Sequence, residues 1–280
     1  MPPSVCVVGS INLDLVASVE HLPLSGETIT STSLDYVPGG KGANQAVASA
    51  RLGADVRFVG AVGDDDFGHL AVAELREAEV DLSRTQVVRS PTGLALIFVD
   101  EKGETQIVVV PGANHALDPD RIEIGEPDAL ISQLEIRDGA IEAALDGFDG
   151  FFCLNAAPAR EASSQILGRA DLIVANSLEL DALGSSAMGS LFALTLGAEG
   201  ALLLDDGEAI ARAAPPEVEA VDGTGAGDAF TACLVVSLLE GREREEALRR
   251  ACGAGAIAAS RPGAQPSLPT AAEVDEILQA

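Results

Sequence analysis

Short apolar runs separated by helical segments constrain this chain more than any other feature. "VCVVG" (5–9) reads as a buried strand and "ANQAVASARLG" (43–53) as a helix closing on Gly53. "VRFVGAVG" (56–63) reads as a strand again, and "FGHLAVAELREAEV" (67–80) as a helix. "FFCLNA" (151–156), "ADLIVAN" (170–176), "LFALTLG" (191–197) and "GALLLDD" (200–206) continue the series, mostly with polar or helical segments between them. Repeated strand–helix units of this kind predict an α/β fold with a mainly parallel sheet covered on both faces. With 280 residues, 47% of them apolar, the chain can fill the core of one large domain.

Two stretches break the texture. Residues 28–37, "TITSTSLDYV", alternate apolar and polar side chains, and 92–110, "TGLALIFVDEKGETQIVVV", read as a hairpin turning at "DEKGE". Both predict a small antiparallel sheet projecting from the main domain. The last third reads as helices over 226–241, 242–260 and 271–280. A net charge of −27 disfavours nucleic acid and anionic membranes as partners. It also requires that any phosphate site be built from local donors. No run of 18 apolar residues occurs, so no membrane-spanning helix is expected. The opening "MPPSVCVVGS" has no basic region or cleavage site of a secretory signal. Cys6, Cys153, Cys233 and Cys252 are widely spaced in apolar or small-residue surroundings, which predicts buried free thiols and a cytoplasmic location.

The strongest chemical signal is "VDGTGAGDAF" (221–230), where Gly223, Gly225 and Gly227 alternate ahead of an apolar helix. Such glycines let successive backbone N–H groups converge, and the helix terminus adds partial positive charge. The result is an anion hole that needs no basic side chain. Asp228 follows in the first turn. One reading makes it an ordinary N-terminal helix acid; the other makes it a base for a hydroxyl attacking phosphorus. A dinucleotide fingerprint fails because its sixth position is Asp228 and the motif lies late in the chain, and a Walker loop fails because Gly42 follows Lys41. A second cluster joins "GSINLDLV" (9–16) to "GGKGANQA" (39–46). Asn12 and Asp14 fall beyond the first strand, where open α/β sheets bind ligands, although a plain strand-end turn would also use them. Lys41 is one of two lysines against fifteen arginines, set between glycines, with Asn44 opening a helix.

At this point the residues resemble a family, the PfkB carbohydrate kinases, on their ribokinase branch. The motifs "GSINLDLV", "LPLSGET", "PGGKGANQAVASARLG", "GAVGDDDFG", "VPGAN", "SQLEI", "ANSLEL", "TLGAEG", "VDGTGAGDAF" and "GAQPSLP" carry the likeness along nearly the whole chain. The resemblance implies a ribokinase-like three-layer α/β/α domain spanning 1–280, with a β-sheet lid from roughly 14–38 and 91–110. It implies ATP-dependent phosphorylation of D-ribose at O5, Mg²⁺ as cofactor, a monovalent cation (usually K⁺) as activator, and a homodimer formed through the lid. It makes Asp228 the catalytic base with Gly225, Ala226 and Gly227 as anion hole. Asn12, Asp14, Gly40, Lys41, Asn44 and Glu135 would line the sugar pocket. Asn176 and Glu179 would help position Mg²⁺ and phosphates, and Thr195, Gly197, Glu199 and Gly200 would belong to the nucleotide pocket. Asp222, Thr224, Ala258, Arg261, Gly263 and Ser267 would form the cation loop.

The chain departs from the family at two places. Cys252 stands where an Asn is frequent near the adenine, and the stretch from Leu180 to Leu191 is short, which predicts a trimmed helix. His21, His69 and His115 lie outside the matched motifs and are expected to be structural or solvated. Other readings are a kinase for another pentose, 2-deoxyribose or a nucleoside, and a non-catalytic sugar binder. Only 3% aromatic residues argue against a nucleoside's base pocket, and an intact Gly225–Asp228 stretch argues against a mere binder.

Overall fold

The structure, a computed structural model, describes residues 1–184 and 191–279. The proposed trimming of a helix between Leu180 and Leu191 falls largely on 185–190, outside the described residues.

The chain begins β1 (Ser4–Val8), β2 (Asn12–Ser18), β3 (Ser33–Gly39), α1 (Lys41–Arg51), β4 (Asp55–Val59) and β5 (Ala61–Gly63). It continues α2 (Asp66–Ala71), α3 (Ala73–Glu77), β6 (Gln86–Val88), β7 (Gly93–Val99), β8 (Thr105–Val110), β9 (Ala129–Gln133) and α4 (Asp138–Leu145). Then come β10 (Phe151–Asn155), α5 (Ser164–Arg169), β11 (Leu172–Asn176), α6 (Ser177–Leu183), β12 (Leu191–Thr195), β13 (Ala201–Asp205) and β14 (Glu208–Ala213). The C-terminal helices are α7 (Ala226–Leu239), α8 (Arg244–Ala259) and α9 (Ala271–Ile277).

The main sheet runs β14-β13-β12-β11-β10-β9-β1-β4. It is parallel from β4 to β12, with β13 and β14 antiparallel at one end. Its apolar residues divide by strand period. Val5, Val7, Ile131, Cys153, Leu172 and Val174 pack into one core cluster, on the side of α1, α7 and α8. Their neighbours Cys6, Val8, Leu130, Phe152, Leu154 and Ile173 pack into another with α4 and α5. Successive side chains of a strand point to opposite faces, so each strand feeds two helical layers and reads as continuously apolar. This is the expected three-layer fold.

A second sheet, β3-β2-β7-β8, stands apart from the first. The hairpin of β7 and β8 lies where the alternation predicted it. Three local expectations change. "VRFVGAVG" is two strands, because β5 leaves the main sheet after Gly60 to pair with β6. Residues 67–80 form two short helices broken at Val72, and of 28–37 only the part from Ser33 is strand. Strand β2 was not read from its residues, although the lid range that the resemblance implies covers it from Asp14; it forms the middle of the small sheet, antiparallel to β3 and parallel to β7, so the sheet is mixed and not purely antiparallel.

Candidate active site

Strand order reverses at β1: the chain moves outward to β4 on one side and through β9 to β12 on the other. Ligands bind in the crevice that such a reversal leaves at the carboxyl ends of the strands. Ser10 after β1, Gln133 ending β9 and Asn155 ending β10 meet there, all buried. Above them, β2 brings Asn12 and Asp14, and α1 begins.

The start of α1 depends on Gly40, whose φ is 89°. A Cβ there would lie 2.7 Å from the Asn12 nitrogen and 2.8 Å from the Ile11 Cα. Only glycine combines this left-handed backbone with so close an approach. The turn makes Lys41, not Asn44, the first helical residue. The Lys41 N–H, one of the helix's unpaired donors, bonds the Glu135 carboxylate at 3.0 Å. The Ser10 hydroxyl donates to the same oxygen at 2.5 Å. Asn12 accepts from the Asn114 amide at 2.8 Å, while Asn114 accepts the Ile11 N–H at 2.9 Å, so the root of β2 is pinned.

Charge is concentrated here. Burial pushes the Asp14 carboxyl up, and the negative Glu135 and Asp228 push it the same way, to about 7. Burial pulls the Lys41 ammonium down, but Asp228, Glu135 and Glu179 outweigh that effect and its net direction is up. Lys41 is thus held charged among carboxylates.

Asp228 lies in the first turn of α7, after Gly225, which is left-handed at φ 79°. The body of α7 is apolar on all sides and buried, as a core helix should be. Asp228 accepts from the Asn44 amide through Oδ2 and from the Gln45 amide through Oδ1, both at 2.9 Å. The Asn44 Oδ1 is buried without a protein partner. Within the predicted anion hole, the Ala226 N–H is directed back at the Gly223 carbonyl at 3.3 Å.

On the far side of Gly227 opens a cavity of about 700 Å³. Its walls include Thr195, Gly197 and Gly200, the apolar Pro215, Pro216 and Val218, and Gly223, Ala226 and Gly227 at the end of α7. Phe230, Cys252 and Ala256 close the other side. Glu199, predicted here, is exposed and does not line it. Asn176 and Glu179 do not line it either. They close a capping box on α6, Asn176 Oδ1 accepting the Glu179 N–H at 2.9 Å and Glu179 accepting the Asn176 N–H at 2.8 Å.

Asp222 ties two segments behind the α7 terminus. It accepts from the Thr224 hydroxyl at 2.6 Å and from the Gly263 N–H at 2.8 Å. Desolvation opposes its charge, but these donors win and hold its carboxyl below the usual range. Ser267 is buried and donates to the Ala264 carbonyl, while the Arg261 side chain turns away to Glu273. Thr224, Gly263 and Asp222 are therefore brought together; of the rest of the predicted loop, Ala258 lies in the last turn of α8, where its carbonyl accepts the Arg261 N–H at 3.2 Å. Among the described residues no group of three or more His, Cys, Asp or Glu gathers to hold a metal.

The sequence reading did not single out Gln45, Gln133, Asn155 or Asn114. A usable signal existed: Gln133 and Asn155 are polar ends of apolar strands at the carboxyl edge of a parallel sheet.

A carboxylate between a polar crevice and a glycine-walled cavity is the layout of an enzyme that moves a phosphoryl group onto a small hydroxylated acceptor. Comparison with known families agrees: residues 2–271 match the pfkB family carbohydrate kinases, and the chain belongs to that family. It is similar to the ribokinase of Bacillus subtilis (strain 168), with 37% identity covering 98% of this chain and 99% of that one. Its fold is similar to the crystal structure of ribokinase from Thermotoga maritima, with TM-score 0.91, 33% identity and coverage of 99% and 100%. It is also similar to Arabidopsis thaliana ribokinase complexed with ribose and ATP, with TM-score 0.88, 30% identity and full coverage of both chains.

Proposed function

We propose that this chain transfers the γ-phosphoryl group of ATP to O5 of D-ribose, giving D-ribose 5-phosphate and ADP. The observation that carries the reading is the position of Asp228: buried, clamped by two amides, and set between the Asn12–Asp14–Lys41 crevice and the 700 Å³ cavity.

In this mechanism Asn12, Asp14, Lys41 and Asn44 bind the sugar hydroxyls, and Asp14 accepts from two neighbouring ones. The orphan Asn44 oxygen supplies a further acceptor. Gly40 lets the backbone pass close to the sugar, and Glu135 holds the N-terminus of α1. The cavity takes the nucleotide, with Thr195, Gly197 and Gly200 against it. Asp228 receives the O5 proton as O5 bonds to phosphorus and the bond to ADP breaks. The N–H groups at Gly225 and Gly227, joined by that of Ala226 once it leaves the Gly223 carbonyl, face the charge on the phosphoryl oxygens.

Mg²⁺, when bound, neutralises phosphate charge. The lack of a carboxylate–imidazole cluster among the described residues fits an ion held by phosphates and water, with Asn176 and Glu179 as the protein's contribution. A monovalent cation such as K⁺ would sit among Asp222, Thr224, Ala258, Arg261, Gly263 and Ser267 and stiffen the loop behind the anion hole. The small sheet acts as a lid over the sugar, joins two copies into a homodimer, and works in the cytoplasm.

The test is ADP release with ribose, 2-deoxyribose, fructose and adenosine, with Mg²⁺ and with or without K⁺. Ribose-dependent turnover that rises with K⁺ is expected, and Asp228→Asn should lower kcat by about 10²–10⁴-fold. Turnover only with another acceptor would discard the ribose reading, and wild-type kcat in Asp228→Asn would discard the base.

A further inference from the structure

Three buried amides form a chain that neither sugar nor nucleotide binding accounts for. Gln133 donates its Nε2–H to Gln45 Oε1 at 2.6 Å. Gln45 uses Nε2 twice, donating to Asn155 Oδ1 and to Asp228 Oδ1, each at 2.9 Å. Asn155 in turn donates Nδ2–H to the Val174 carbonyl at 3.2 Å. Gln45 and Gln133 are fully buried and Asn155 nearly so.

The chain has a direction, and the backbone sets it. An amide side chain has one end that accepts and one that donates. The Val174 carbonyl can only accept, so Asn155 must turn its NH₂ to it and its oxygen towards Gln45. That oxygen needs a donor, so Gln45 turns its NH₂ to Asn155, and the same NH₂ reaches Asp228. Gln133 completes the arrangement by donating to the Gln45 oxygen. Reversed, Gln45 would set its own oxygen against the carboxylate, two acceptors facing each other in a buried site.

We infer that Gln45 is a positioning residue for phosphoryl transfer, its amide fixed by Asn155 and Gln133 so that an N–H is presented to Asp228. The inference rests on the reading of Asp228 as the base. With Asn44 on the other oxygen, the carboxylate is held at two points, and its remaining lone pairs are aimed by the sheet rather than by the substrate.

The experiment measures kcat, ribose KM and Tm for Gln45→Met, Gln45→Glu and Asn155→Leu, with Asp228→Asn alongside. Gln45→Met should lower kcat about 10- to 100-fold and leave ribose KM within a few-fold, since geometry at the reacting atom is what is lost. Gln45→Glu keeps the shape but turns an acceptor on Asp228, so kcat should fall further. Asn155→Leu touches Asp228 nowhere, yet should lower kcat because Gln45 loses what fixes its direction. If the Gln45 and Asn155 variants change only Tm, keeping kcat and ribose KM while Asp228→Asn is inactive, the amide chain is structural and the inference falls alone. If Asp228→Asn turns over normally, the base reading falls first and takes the inference with it. Should Gln45→Glu not fold, Gln45→Met and Asn155→Leu decide the matter.

Discussion

Asp14 shows what a proposed sugar contact gives up to its fold. Its carboxyl, pushed from 3.8 to about 7 by burial and by Glu135 and Asp228, binds a proton in the folded chain that it would release when unfolded. Between those values the native state holds more protons than the unfolded one, so this group makes stability fall as pH rises. Asp14→Asn should therefore raise Tm at about pH 8, where the wild-type residue is a buried anion, while ribose KM increases. The ionised form is the one that accepts from two hydroxyls, with Lys41 the cation among the carboxylates around it. Wild-type ribose KM should then rise below about pH 7, by up to about tenfold per pH unit, and the Asn variant should not share that dependence. A flat wild-type profile from pH 5.5 to 8.5, measured by initial rates, would remove Asp14 from the sugar contacts.

At the level of elements, two helix starts carry the site. Both begin after a left-handed glycine, Gly40 at φ 89° and Gly225 at φ 79°. Gly40→Ala forces a Cβ onto the backbone of Ile11 and Asn12, atoms that cannot swing away as a side chain could. A loss of about 1–3 kcal/mol is expected in chemical denaturation, together with a rise in ribose KM as Lys41 shifts. Unchanged stability and KM would mean that the turn can open without displacing the pocket. The sequence made these elements legible to different degrees. Strands β1, β10 and β11 were plain, because burial on two faces leaves polar residues only at their ends. Strand β2 was not, because Asn12, Asp14 and Ser18 interrupt its apolar residues, and its partners Ser33–Gly39 and Gly93–Val99 are distant in sequence. Asp228 was visible through its glycines. Of the amides around it, Asn44 was read from the sequence, but Gln45, Gln133 and Asn155 were not, since they are joined only by long-range pairing. Cys252, read from sequence as a departure from the family, does line the nucleotide-side cavity.

For the whole molecule, the small sheet is the part least accounted for by one copy. Ile107, Val108, Val109 and Val110 are exposed in succession on its edge strand, with Leu34 and Tyr36 exposed across the sheet. Paired registers put Ile107 and Val108 on opposite faces of that sheet. An uncovered apolar edge invites pairing with another chain. If two copies join through the lid, Ile107→Glu with Val108→Glu should convert a dimer into a monomer in light scattering, and an unchanged mass would reject that interface. The site itself also joins distant parts of one chain. Asp228 is separated from Asn44 by 184 positions and from Gln45 by 183. During synthesis, the two amides leave the ribosome long before their carboxylate has been translated. A chain that stops before Asp228 therefore lacks the proposed base. It leaves α1 without the apolar helix that packs on it, an open groove of the kind chaperones and proteases recognise. The proposed catalytic centre is complete only once the first turn of α7 has been made, so a fragment that ends before it cannot carry out phosphoryl transfer.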